Sequence, residues 1–69
     1  MTFDDFIATK KPIRTGATQS DGYRYFDTYV ITVTNGEGGR WSLVLQNAEF
    51  RDDSLQVLER ILWNWLQDQ

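Results

Sequence analysis

Sixty-nine residues at 8.1 kDa suffice for one domain and leave no room for a second. An apolar content of 41% with 25% charged residues is that of a globular chain, and too apolar for a disordered one. The absence of cysteine and histidine removes disulfides, thiolate chemistry, an imidazole base and the usual zinc ligands, and a net charge of −3 argues against a general nucleic-acid or membrane-surface binder.

Thr2-Phe-Asp-Asp-Phe-Ile predicts a short N-terminal helix capped by Thr2, with Asp4 and Asp5 at its positive end and Phe3, Phe6 and Ile7 on one face. Lys10-Lys11 suits its C-terminal end, and Pro12 stops it. Two turns do not persist alone in water, so the Phe3/Phe6/Ile7 face must dock on something. Residues 13–22 are polar and weakly patterned, with room for an edge strand at 13–18 and a turn at Ser20-Asp21-Gly22.

Residues 23–34 read as one long strand, because nearly every position is aromatic or β-branched. Asn35-Gly-Glu-Gly-Gly39 then makes a hairpin loop, and Arg40–Gln46 is the returning strand. Pairing Thr34 with Arg40 places Val33 opposite Trp41, Ile31 opposite Leu43, Val30 opposite Val44 and Tyr29 opposite Leu45. One face then carries Tyr23, Tyr25, Tyr29, Ile31, Val33, Trp41, Leu43 and Leu45, which is core. The other carries threonines, Ser42 and Gln46, with Phe26, Val30 and Val44 as a small apolar island.

After a short connection, Asp53-Ser-Leu-Gln56 has the character of a capping box and opens a helix over 53–67. At about 100° per residue, Leu55, Val57, Leu58, Ile61, Leu62, Trp65 and Leu66 fall within half its circumference, leaving Trp63 on the flank. The fold expected is α+β in a single domain spanning 1–69. It comprises a short N-terminal helix, an antiparallel sheet of two to four strands centred on the 23–34/40–46 hairpin, and a C-terminal amphipathic helix on one sheet face.

Little in the chain suits catalysis. Asp52 and Asp53 are adjacent at a helix start, where the helix dipole accounts for them. Gly36-Glu-Gly-Gly39 joins two strands and lacks the Gly-Lys-Ser/Thr run leading into a helix that a phosphate loop needs. No cofactor and no metal is expected. The chain starts with an acidic segment where a secretory leader would be basic, and it has no apolar run long enough to span a bilayer, so a cytoplasmic protein without membrane attachment is expected.

Three binding readings compete. The first is a non-enzymatic protein-interaction module, an adaptor or inhibitor of the kind phages and mobile elements carry. It would bind a partner protein through Phe26, Val30 and Val44, or through Trp63 at the edge of the helix stripe. Its acidic residues would select the partner. Residues 1–34 balance four basic against four acidic groups, whereas 35–69 hold three basic against six acidic, including Glu49, Asp52, Asp53, Glu59 and Asp68. The second reading is single-stranded nucleic-acid binding, with Phe26 stacking on bases and Lys10, Lys11, Arg14 and Arg24 holding phosphates; the chain's charge opposes it. The third is a structural homo-oligomer that pairs sheet edges or opposes outward faces. For each patch there is a plain alternative. The Tyr residues and Trp63 serve as core, the N-terminal helix covers Phe26, and the acidic bias is a solvated surface.

Overall fold

The computed structural model describes residues 1–14, 20–34 and 38–69. In chain order the elements are helix α1 (Phe3–Ala8), strands β1 (Lys11–Arg14), β2 (Ser20–Tyr25), β3 (Tyr29–Val33), β4 (Trp41–Leu45) and β5 (Ala48–Asp52), and helix α2 (Leu55–Gln67). The strands form one antiparallel meander in the order β1-β2-β3-β4-β5. The α+β class holds, with five strands where two to four were expected.

The central hairpin has the register that alternation predicts. Ile31 pairs with Leu43, Thr32 with Ser42 and Val33 with Trp41, and Thr34 N–H donates to Arg40 O at 2.7 Å. The tip of its loop (35–37) and most of the edge segment foreseen at 13–18 lie outside the described residues; β1 itself starts earlier, at Lys11.

The long strand 23–34 is two strands. The chain reverses at Phe26-Asp27-Thr28, with Phe26 and Asp27 both left-handed (φ 53° and 57°) and Thr28 N–H closing on Tyr25 O at 3.0 Å. Left-handed backbone disfavours a bulky residue, costing about 1–2 kcal/mol, so contacts elsewhere must hold Phe26 there. Two of these come from α1. Phe26 N–H donates to Thr9 Oγ1 at 3.1 Å, and the Phe26 ring lies 5.9 Å from that of Phe6. Ser20-Asp21-Gly22 is the start of β2 and not a turn. Gly22 is needed there because a Cβ would stand 2.3 Å from Ile31 O across the β2–β3 ladder. The fifth strand returns from β4 through the two-residue Gln46-Asn47 turn, pairing Leu45 with Ala48.

Helix α1 begins as expected, with a reciprocal cap: Asp5 N–H donates to Thr2 Oγ1 at 3.1 Å and Thr2 N–H to Asp5 Oδ2 at 3.0 Å. The hydrogen bonds from the Thr2 backbone and side chain hold the Asp5 carboxyl below its ordinary value. Lys10 and Lys11 lie beyond the helix, which ends at Ala8. Helix α2 starts at Leu55 without the foreseen capping box. Asp52 Oδ1 accepts from Ser54 N–H at 2.8 Å within the helix entry, and Asp53 Oδ1 accepts from Arg40 N–H at 3.0 Å, tying that entry to the start of β4.

Both helices lie on the same face of the sheet. The core between the layers is Phe6, Tyr25, Ile31, Leu43, Leu45, Leu58 and Leu62. Phe6 stacks on Tyr25 (5.0 Å, 6° between planes) and meets Trp63 at 5.7 Å, so α1 is wedged between β2 and α2.

Candidate functional site

Two polar features stand out, one inside the molecule and one on its surface. The inner one was not foreseen. Glu59 is the last residue that patterning would place in a core, yet it is 4% exposed, on the sheet-facing side of α2. Its Oε2 accepts the Tyr25 hydroxyl at 2.6 Å and pairs with Lys10 Nζ at 2.9 Å. The same Lys10 Nζ lies 4.3 Å above the Tyr23 ring. Burial first, and then the hydrogen bond to Glu59 and its charge, raise the pKa of the Tyr25 phenol well above the ordinary value. This cluster joins the end of α1, strand β2 and α2. Tyr25 and Glu59 are buried, Lys10 is the partly exposed member, and the effect of the cluster is to fix how three elements sit.

The surface feature is the sheet face that neither helix covers. Register sets Lys11 beside Arg24 and Arg24 beside Val30 across β1–β3, and Val44 beside Glu49 across β4–β5. Continuing the β3–β4 alternation brings the two stretches into one row at Val30 and Val44, which line the same depression. The row is cationic at the β1/β2 side, apolar in the middle and anionic at β5. Val44 is 62% exposed, and Lys11, Arg24 and Glu49 are exposed as well. Thr28, Val30, Thr32, Ser42 and Val44 line a shallow depression at its centre. Lys11, Ile13, Arg14 and Arg24 line a second at the β1/β2 side, where Asp27 Oδ1 lies 3.5 Å from Lys11 Nζ. At the opposite side, Ser42 Oγ donates to Glu49 Oε2 at 3.0 Å.

The sequence-predicted residues divide between these places. Val30 and Val44 share the open face, as expected. Phe26 does not join them, because the β2–β3 turn swings it toward Phe6 on the helix side. Trp63 is no free anchor either. It packs edge-on to Phe3 at 6.0 Å as well as against Phe6, while Arg60 caps the Phe3 ring at 3.8 Å. Glu59 is interior, Asp52 accepts from Ser54 N–H at the start of α2, Asp53 accepts from Arg40 N–H ahead of β4, and Lys10 is committed to Glu59. Lys11, Arg14 and Arg24 remain together around the second depression. Lys11, Arg24 and Glu49 frame the apolar centre, a grouping visible only once the strand order is known.

Among the described residues no group of acidic side chains is arranged to hold a metal ion, and no helix is long and apolar enough to cross a membrane. No family model, curated protein or solved structure matches this chain.

Proposed function

We propose that this chain is a non-enzymatic protein-binding module, an adaptor or inhibitor, and that the open face of the sheet is its contact surface. The observation that carries this reading is the exposure of Val44, a large apolar side chain 62% open to solvent on an interior strand of the sheet. An apolar centre with a charged border is the usual build of a protein contact site. The non-enzymatic part rests on the burial of Tyr25 and Glu59, the closest approach to a catalytic arrangement among the described residues. Nucleic-acid binding has less support. The cations Lys11, Arg14 and Arg24 remain grouped, but Phe26, the residue that was to stack on bases, faces α1.

The test compares proteins retained from nuclease-treated lysate by the immobilised chain and by its Val44→Arg variant. Because Val44 is exposed, the variant should melt within about 0.5 kcal/mol of the parent in stability. Loss of specifically retained proteins from such a folded variant supports the reading. Identical retention by both chains removes the open face as the contact surface, and retention that nuclease abolishes favours nucleic acid.

A further inference from the structure

From the charge order across the open face, we infer that its partner is a second copy of this chain, stacked face to face about a twofold axis parallel to the strands. This rests on the open face being a protein contact surface. Two identical sheets can oppose the same face in two aligned ways. A twofold axis perpendicular to the strands, in the plane between the sheets, would set each strand over its own copy, bringing Lys11 over Lys11 and Arg24 over Arg24. An axis parallel to the strands reverses the strand order, so β1 lies over β5 of the second copy, β2 over β4 and β3 over β3.

The row identified above is self-complementary under that second operation alone. Lys11 then faces Glu49 of the second copy, Arg24 faces Val44 with Glu49 beside it, and Val30 meets Val30 on the axis. Each Lys11–Glu49 pair occurs twice, once at each side of the interface, with the apolar residues between them. Along the next row Gly22, Thr32 and Ser42 are small, with Ile13 and Arg51 at its two ends, where Arg51 Nη2 donates to Thr34 Oγ1 at 2.6 Å. Five strands spaced at about 4.8 Å, with about five residues each at 3.3 Å, make a face of about 24 by 16 Å. Two such faces oppose about 770 Å² together, less than a strong specific interface buries, so the dimer is expected to be weak and transient.

Sedimentation velocity from about 10 µM to about 1 mM, at low and high salt, reads the dimer directly. The wild-type chain is expected to self-associate, more weakly at high salt. K11E and E49K should each weaken the dimer by about tenfold or more, and the double variant K11E/E49K should return to within about threefold of wild type. Thermal melts of the four proteins establish that each is folded, since both positions are exposed. A chain that stays monomeric throughout overturns the inference. So does a dimer insensitive to both single changes, as edge-to-edge pairing would be, or a double variant no better than the singles. If the chain is monomeric while Val44→Arg still strips its retained proteins, the face binds a different protein and only the second-copy assignment fails. If Val44→Arg changes neither, the contact-surface reading fails with it.

Discussion

A carboxylate inside a 69-residue protein is an expensive residue to keep, and Glu59 shows how its cost is offset. One oxygen takes both the Tyr25 hydroxyl and the Lys10 ammonium, and Lys10 retains enough exposure (25%) to keep part of its hydration. Removing the carboxylate alone strands the phenol in the core. Glu59→Ala should therefore lose about 1–3 kcal/mol in denaturant unfolding for the orphaned hydroxyl, on top of any cavity term. Tyr25→Phe combined with Glu59→Leu replaces both polar groups with apolar ones and should recover most of that loss. A strongly non-additive double-mutant cycle is the expected result, and additive losses would mean that the pair is not coupled. Glu59 was illegible in the sequence for a plain reason. A lone Glu within an amphipathic pattern is assigned to the wet side, and only the placement of Lys10 and Tyr25 in space provides its partners. That single assignment also turned the predicted stripe toward Val57, which is 44% exposed, and away from Trp63.

At the scale of elements, what could be read was set by local pairing. The β3–β4 register follows from alternating β-branched and leucine positions, and the α1 cap from Thr2 and Asp5 standing three apart. What could not be read depends on distant residues. Phe26-Asp27 lacks the Asn-Gly or Asp-Gly signature of a tight hairpin, because its left-handed backbone is held by Thr9 and Phe6. Strand β5, Ala-Glu-Phe-Arg-Asp, carries three charged residues (Glu49, Arg51 and Asp52) and one ring, which is how an edge strand is kept from recruiting others. The open face follows the same division: Val30 and Val44 were legible from alternation, while Lys11 and Glu49 reach it through strands that local pattern did not define. Docking of α1 gives the element-scale prediction. Trp63 touches both Phe3 and Phe6, so Trp63→Ala should destabilise the fold by about 2 kcal/mol or more in thermal or denaturant melts. A change under about 0.5 kcal/mol would instead mark it as a free surface anchor.

For the molecule as a whole, the Tyr25 phenol makes stability depend on alkalinity. Its pKa is raised above the ordinary 10.0, so its contribution is complete below pH 10 and is lost as pH rises from there toward the folded value. Above pH 10 the unfolded chain binds fewer protons than the folded one, and unfolding becomes easier. Tyr25→Phe should show a shallower loss of stability across that range in denaturant melts; equal slopes in the two proteins would contradict the linkage.

The wedge of α1 between β2 and α2 has a further consequence, in the order of events as the chain is made. Phe6 is made well before Leu58, Leu62 and Trp63, yet they close the same interior. Until α2 has been synthesised, the meander carries Tyr25, Ile31 and Leu43 on a face with no lid. Partial chains therefore cannot settle into the native state strand by strand. The native core is complete only with α2, and before that helix is made the open apolar face is a point of exposure to aggregation.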